Sequence, residues 1–389
     1  MRDSMLPYGR QSLAEADIQA VVDVLRSDWL TTGPKIAEFE EAFAARVGAA
    51  YAVSFSSGTA ALHGAAFAAG LKAGDEAITT PMTFAATANC VRYQGATPIF
   101  ADVCPDTLNL NPEQIERRIT SRTRAILAVD YAGHPADLDP ILEIAKRHRL
   151  VVIEDACHAL GAQYRGRRVG SIADMTVFSF HPVKHITTGE GGMVATNNPQ
   201  LAETLRRFRN HGISSEARQR QSAGQWHYEM VLLGYNYRLP DIACALGIEQ
   251  LNRLDGNLAR RREIAARYTA AFQNITGIIP PAVRAEANPA WHLYPIRLDL
   301  DKLAADRAEV FRALRAENIG VSVHYIPVHY HPYYRDQFGD RTGEFPVAEG
   351  AYARLISLPM FHAMTDRDVE DVITAVGKVA FHSASLQYG

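Results

Sequence analysis

Seven short apolar segments between residues 50 and 197 constrain the fold more than any other feature of the sequence. Stretches with helical periodicity separate most of them. The segments are YAVSF, EAITT, TPIFADV, RAILAVD, LVVIED, MTVFSF and GGMVATN. Strands that alternate with helices form a mostly parallel sheet with helices on both faces. We therefore predict an α/β fold with a mostly parallel seven-stranded sheet.

The pattern divides the chain into a large domain, residues 1–255, and a smaller α+β domain, residues 256–389. In the large domain we predict a helix from Ser12 to Ser27, with Ser12 and Glu15 as a capping box, and a second helix from Pro34 to Gly48. In the small domain WHLYPIRLDL, VSVHYIPVH and RLISLPM indicate strands. Helices are predicted at Asp306–Glu317 and Asp366–Val379.

Composition excludes several classes of protein. Forty basic and 43 acidic residues leave a net charge of −3, so non-specific nucleic-acid binding has no electrostatic basis. No segment has the length and apolarity of a membrane span, and the first residues do not resemble a signal peptide. The four cysteines are scattered, which argues against a disulfide framework or structural zinc. We expect a cytoplasmic protein.

Polar residues that follow the predicted strands form the candidate site, because open α/β sheets bind ligands at the carboxyl ends of their strands. Ser57–Thr59 precede a helix whose first amides can bind an anion, and Asp155 follows a buried strand. Lys184 lies on a loop. Taken singly, the first two are equally consistent with helix caps, and the lysine with a surface charge.

Together with Phe84 and His158, these residues supply what pyridoxal phosphate chemistry requires. A lysine amine forms a Schiff base with the cofactor, and a carboxylate keeps the pyridine nitrogen protonated. An aromatic side chain can hold the face of the ring. Amides and hydroxyls can bind the phosphate.

With these residues the chain resembles the nucleotide-sugar aminotransferases of the DegT/StrS type, which have fold type I of the pyridoxal phosphate enzymes. The resemblance covers nearly the whole chain. It depends on the order and spacing of SSGTAAL, TPMTFAATAN, IEDACHALGA, FSFHPVKHITTGEGG and GYNYRLPDIACALGIEQL.

The resemblance implies a role for each matching residue. Lys184 would be the Schiff-base lysine, Asp155 the partner of the pyridine nitrogen and Phe84 the stacking residue. His158 stands where most members have Gln, near the ring hydroxyl. The phosphate would be held by Ser57, Gly58, Thr59 and Ser179. Asn236 would reach the phosphate of the neighbouring subunit's cofactor, which implies a homodimer with composite sites.

Within the family, HALG, HPVKHITTGEGG and HYIPVHYHPYY resemble the UDP-4-amino-4,6-dideoxy-N-acetyl-β-L-altrosamine transaminases of pseudaminic acid biosynthesis. This resemblance implies amino transfer from glutamate to C4 of a UDP-linked 4-keto-6-deoxy-N-acetylhexosamine. The residues then expected around the nucleotide sugar are Tyr8, Asp28, Trp29, Leu30, Thr31, Gly58, Ser179, Asn236, His324, Tyr325 and His329.

Several alternatives stay open at this point. The substrate could be a different nucleotide-linked keto sugar, carried by dTDP or GDP and aminated at C4 or C3. Dehydration is disfavoured because the dehydrating relatives have His in place of the lysine. A non-catalytic pyridoxal phosphate-binding regulator is disfavoured by the absence of an appended DNA-binding segment. Metal binding by His324, His329 and His331 is not expected, since no Cys or carboxylate joins them at ligand spacing.

Overall fold

A computed structural model of the chain describes residues 2–214, 220 and 222–385. Its strands, in chain order, are β1 Tyr51–Phe55, β2 Glu76–Thr79, β3 Thr97–Phe100, β4 Thr123–Val129, β5 Val151–Asp155, β6 Gln163–Tyr164, β7 Arg167–Arg168, β8 Met175–Ser179, β9 Gly192–Thr196, β10 Ile278–Ile279, β11 Ala287–Asn288, β12 Tyr294–Leu298 and β13 Leu355–Leu358.

The large sheet contains all seven predicted strands in the order β1-β9-β8-β5-β4-β2-β3. Strand β9 pairs antiparallel with β1 and β8, while the other pairs are parallel. The prediction of a mostly parallel seven-stranded sheet is therefore confirmed. Because β1, β5 and β8 point in the same direction, the residues that follow them meet at one edge.

In the part of the chain that the structure describes, helices lie on both faces of the large sheet and in the small domain. They are α1 Glu15–Leu25, α2 Pro34–Val47, α3 Gly58–Ala68, α4 Ala86–Tyr93, α5 Pro112–Glu116, α6 Leu138–His148, α7 Pro199–Phe208, α8 Asp241–Asn252, α9 Leu254–Phe272, α10 Arg307–Ala316, α11 Pro332–Phe338, α12 Pro346–Tyr352 and α13 Asp366–Ser385. None of the described helices is long and apolar enough to cross a bilayer.

The start of α1 differs from the prediction. The helix begins at Glu15, and the amide of Ala14 donates to the carboxylate of Asp17 over 2.7 Å. Ser12 is not the cap: its carbonyl instead accepts from Gln250 on α8. Helix α2 agrees with the prediction, with Pro34 in its first turn and Gly48 in a left-handed conformation at φ 77°.

Helix α9 joins the two domains. Leu254 and Leu258 pack in the core between the sheet and α2, whereas Ile264 and Tyr268 pack in the core of the small domain. The boundary at 255/256 stays a prediction, because this helix contributes to both cores. At the other end of the chain, Leu6 also lies in the core of the small domain.

The small domain contains a three-stranded antiparallel sheet, β10-β12-β13. The predicted strand VSVHYIPVH does not form: only Ser322 makes a bridge, to Ser357, and Val328–Tyr330 form a short 3-10 helix. The segment leaves the sheet after Ser322 and runs to the pocket described next.

Candidate active site

A cavity of about 430 Å³ lies at the carboxyl ends of β1, β5 and β8. It is lined by Tyr8, Ser57, Gly58, Thr59, Leu62, Thr83, Phe84, Ala86, Thr87, Val129, Asp155, Cys157, His158, Ser179, His181, Lys184, Glu190, His292, His324 and Tyr325. The structure thus brings together most of the residues that the sequence placed in the site. The large domain supplies the wall formed by residues 57–190, and the small domain and Tyr8 supply the opposite wall.

The N-terminus of α3 forms one end of the cavity. The hydroxyl of Ser57 accepts from the amide of Ala60 over 3.0 Å and so caps the helix. Gly58 allows β8 to approach, since a Cβ at this position would lie 2.8 Å from the Cβ of Ser179. Helix amides and two hydroxyls therefore converge there, which is the arrangement that binds a phosphate.

Asp155 is the last residue of β5 and is nearly buried. Its Oδ2 accepts from the hydroxyl of Thr87 over 2.7 Å, and its Oδ1 accepts from the amide of Cys157 over 3.2 Å. These donors fix the orientation of the carboxylate. The sequence placed Thr87 in the candidate region, within the TPMTFAATAN motif, but did not assign it a role.

Two further acids, Asp130 and Glu154, are buried beneath Asp155. Burial and the charge of Glu154 raise the pKa of Asp130 well above its ordinary value. Burial also raises the pKa of Glu154, to about 7. Of these three acids only Asp155 lines the cavity, while Asp130 and Glu154 lie in the interior.

Lys184 extends from the loop after β8, and its Nζ lies 3.4 Å from Nε2 of His292. Burial lowers the pKa of the lysine, and the charge of Arg261 acts in the same direction, whereas Cys157 and Asp155 oppose them. A lowered pKa increases the fraction of neutral, nucleophilic amine near neutral pH. His292 was not identified from the sequence.

His158 contacts the opposite wall of the cavity. Its Nε2 and the hydroxyl of Tyr325 are 2.9 Å apart and share a hydrogen bond. Burial, and next the charge of Lys184, lower the pKa of His158 well below its ordinary value. The imidazole is therefore neutral near pH 7.

Phe84 is 59% exposed, which is unusual for a large apolar side chain beside a cavity. Its ring lies 6.0 Å from that of Tyr325, in a tilted arrangement. A face of the phenyl ring is therefore available for stacking on a planar group.

The wall opposite the sheet contains Tyr8 and His324, whose rings are 5.4 Å apart. Nδ1 of His324 lies 2.9 Å from the hydroxyl of Ser357 on β13. Burial lowers the pKa of His324 to about 4, so this side chain is also neutral near pH 7. The wall presents neutral hydrogen-bonding groups.

Other predicted site residues do not line this cavity. Asp28, Trp29, Leu30 and Thr31 lie outside it, before α2, where the carbonyl of Leu30 accepts from the amide of Asp241. Asn236 is exposed and forms a backbone bridge with Asn210.

The expectation that His329 contacts the sugar is corrected by its position. The side chain is 1% exposed, and its Nε2 lies 3.1 Å from a carboxylate oxygen of Glu349. It packs against Phe345, so it cannot reach a molecule in the cavity. Among the described residues, no group of three or more His, Cys, Asp or Glu side chains could hold a metal.

The residues of the cavity fit pyridoxal phosphate. Gly58 lets Ser179 approach the helix amides closely, which suits the phosphate. Asp155 suits the pyridine nitrogen, Lys184 the aldehyde carbon and Phe84 the ring face. When bound, this cofactor supplies an electron sink for a carbanion.

Comparison with known proteins agrees with this assignment. Residues 11–377 match the model of the DegT/DnrJ/EryC1/StrS aminotransferase family. The spore coat polysaccharide biosynthesis protein SpsC of Bacillus subtilis is 47% identical over 377 residues, which are 96% of this chain and 97% of that protein.

Two solved structures show the same fold over nearly the whole chain. PseC of Helicobacter pylori, an aminotransferase of pseudaminic acid biosynthesis, is 32% identical, with a TM-score of 0.90 over 97% of this chain and 100% of its own. The pyridoxal phosphate form of Spr1654 from Streptococcus pneumoniae is 31% identical, with a TM-score of 0.90 over 97% of this chain and 99% of its own. The cofactor is pyridoxal phosphate, and the chain belongs to the DegT/DnrJ/EryC1/StrS aminotransferase family.

Proposed function

We propose that this protein transfers an amino group from glutamate to C4 of a UDP-linked 4-keto-6-deoxy-N-acetylhexosamine. One observation carries the proposal. The HYIPVHYHPYY segment leaves the small sheet and presents His324 and Tyr325 to the cavity, opposite Lys184 and Asp155. The motif that resembles the pseudaminic acid enzymes thus supplies part of the wall available to a substrate. The similarity to PseC supports the same assignment.

Each residue then has a defined task. Asp155 keeps the pyridine nitrogen protonated, and Ser57, Thr59 and Ser179 hold the phosphate. Lys184 would move a proton from the α carbon of glutamate to the aldehyde carbon of the cofactor in the first half-reaction. In the second it would move a proton from that carbon to C4 of the sugar. Tyr8, His324 and Tyr325 orient the sugar and limit the access of water.

We further propose that the working unit is a homodimer. Asn236 and residues 28–31 lie outside the cavity of their own chain. In a homodimer they would contact the cofactor and substrate bound in the partner subunit. A second cavity of about 360 Å³ lies beside them and includes Thr32, Gly33 and Asn210 in its lining. Arg206 and Arg238 also line it, and guanidinium groups suit the diphosphate of a nucleotide sugar; Arg209, in the same lining, is paired with Glu40.

A second candidate is amination of a different nucleotide-linked keto sugar. The 47% identity to SpsC, a protein of spore coat polysaccharide synthesis, supports it. A regulator without catalytic activity is a weaker alternative, because the cavity contains a complete set of candidate catalytic side chains. A DNA mobility-shift assay separates that alternative from an enzyme.

The test is a substrate panel. Purified protein is mixed with glutamate and with UDP-, dTDP- and GDP-linked 4-keto and 3-keto sugars, and the aminated product is identified by NMR. We expect one UDP-linked 4-amino-4,6-dideoxy-N-acetylhexosamine, and no product with Lys184→Ala. A faster reaction with a dTDP or GDP sugar, or at C3, would replace the proposed substrate.

A further inference from the structure

His292 is the side chain in contact with the amine of Lys184, yet it belongs to the other domain. The histidine lies in the small domain, two residues before the start of β12, and is 5% exposed. Its Nε2 lies 3.4 Å from Nζ of Lys184. A lysine ammonium can only donate hydrogen bonds, so a neutral imidazole must accept at this nitrogen whenever the lysine is charged.

The main chain around His292 is fixed from several sides. The guanidinium of Arg261, buried on α9, donates to the carbonyls of Trp291, His292 and Met360 over 3.1, 3.4 and 2.9 Å. The carbonyl of Ala290 lies 3.0 Å from Nε2 of His185, and the amide of Ala290 donates to the carbonyl of Gly133. The imidazole is therefore held at a defined place beside the amine.

The second ring nitrogen of His292, Nδ1, leaves the imidazole free to change its tautomer. Nδ1 is buried and has no hydrogen-bond partner among the described residues. The proton can therefore change between the two ring nitrogens without breaking a second hydrogen bond. When Lys184 is charged, Nε2 accepts from it; when the lysine is neutral, Nε2 can donate to it.

We propose that His292 positions Lys184 as the proton carrier, acting as a neutral partner that reverses its hydrogen bond as the amine gains and loses a proton. This inference rests on the proposed role of Lys184 in proton transfer but not on the identity of the sugar. Burial, and then the charges of Lys184 and other neighbours, lower the pKa of His292 well below its ordinary value, which keeps the imidazole neutral. Several titratable groups surround Lys184 and His292. They are Asp155, Cys157, His158, His185, Arg261 and His324.

The test measures the proton affinity of Lys184 directly. Full-length protein is loaded with pyridoxamine phosphate, which has no aldehyde to bond to the lysine. Labelling of Lys184 by acetic anhydride is then followed against pH by peptide mass spectrometry. An acceptor stabilises the ammonium, so its loss in His292→Phe should move the labelling midpoint to lower pH by about one unit. His292→Gln retains an acceptor, so its labelling midpoint should lie close to that of the unchanged protein.

Kinetics provide a second readout. Because Lys184 serves both half-reactions, His292→Phe should slow each of them by about tenfold or more with little change in either KM. The same exchange at His148, which is exposed on α6 and lies outside the cavity, should leave both rates within about twofold. An unchanged labelling midpoint in His292→Phe overturns the proposal. An equal shift in Phe and Gln variants also overturns it, since packing of the ring would then be the cause. Neither result depends on which sugar is accepted.

Discussion

The carboxylate of Asp155 is held by Thr87 and the amide of Cys157, and this geometry makes its charge testable separately from its shape. Asp155→Asn keeps the size of the side chain but removes the charge that would hold a proton on the pyridine nitrogen. We expect turnover to fall by roughly 100-fold or more, measured with glutamate in single-turnover experiments. Asp174→Asn is the control, because Asp174 accepts from a strand amide outside the cavity. Near-normal turnover in a correctly folded Asp155→Asn variant would remove the electron-sink role.

Substitution of Tyr325 should affect the two half-reactions differently. Tyr325→Phe keeps the ring against Phe84 but removes the hydroxyl that shares a hydrogen bond with His158. We expect the sugar half-reaction to slow by about tenfold, the usual effect of one hydrogen bond to a bound group, while the glutamate half-reaction changes by less than about twofold. Stopped-flow absorbance of the cofactor measures both rates.

Tyr333→Phe is the matched control for Tyr325, since Tyr333 lies in the same motif but is 49% exposed and outside the cavity. Equal damage to both half-reactions in Tyr325→Phe would show that this side chain supports the cofactor or the fold instead of the sugar.

At the level of single residues, the sequence indicated Lys184 and Asp155 only as members of a set that follows the strands and matches the family motifs, since each alone is equally consistent with a surface charge or a helix cap. It did not identify His292, which lies 108 residues from Lys184 and has no local pattern that links the two. The assignment of His329 to the sugar was wrong because it depended on motif membership. The 3-10 turn at Val328–Tyr330 directs that side chain to Glu349 instead.

At the level of elements, the periodicity of the large domain was a reliable guide, and the seven strands form where apolar runs predicted them. Helix α2 was predicted because proline and glycine determine its ends through backbone geometry. The strand proposed at VSVHYIPVH was wrong, since alternation of apolar residues cannot reveal that a chain turns away after Ser322 to reach a cavity. The cap at Ser12 was wrong because tertiary contact with Gln250 competes for that residue.

The close contact between α3 and β8 should be needed for tight binding of the cofactor. Gly58→Ala places a methyl group 2.8 Å from the Cβ of Ser179, which must displace either the helix start or the strand end. We expect pyridoxal phosphate to bind at least tenfold more weakly, as measured by fluorescence titration of the cofactor-free protein.

Gly256→Ala is the control for Gly58, because a Cβ there meets nothing within 4 Å on α9. Alanine is the better helix former, so this change should raise the free energy of unfolding by about 0.5–1 kcal/mol and leave cofactor affinity unchanged. Undiminished affinity in Gly58→Ala would mean that the approach of the two elements does not form the phosphate site.

At the level of the whole molecule, the proposed dimer predicts complementation between two inactive variants. Lys184→Ala damages the site of its own chain, whereas Asn236→Ala is expected to damage the site of the partner. A mixed dimer would then contain one intact site and one with both defects. After subunit exchange, random pairing should restore activity to about one quarter of the wild-type value, measured as product formation.

The complementation experiment requires two controls: demonstrated exchange of labelled subunits, and a severe defect in each parent alone. With both in place, activity no higher than the average of the parents would show that Asn236 does not serve the neighbouring subunit. The sequence alone could suggest this arrangement only through family resemblance, since a contact between two chains leaves no periodic pattern.

The two walls of the cavity come from different parts of the chain, and this division has a consequence for how such enzymes diversify. The groups suited to the cofactor lie between Ser57 and Lys184, while Tyr8, His324 and Tyr325 approach from the segments packed with the small domain. Substitution of Tyr8, His324 or Tyr325 can therefore change how the sugar is held, whereas His292, which also comes from the small domain, must be kept because it lies beside the amine of Lys184. A related enzyme that differs at residues 8, 324 and 325 but keeps His292 is expected to accept another sugar with the same amine chemistry.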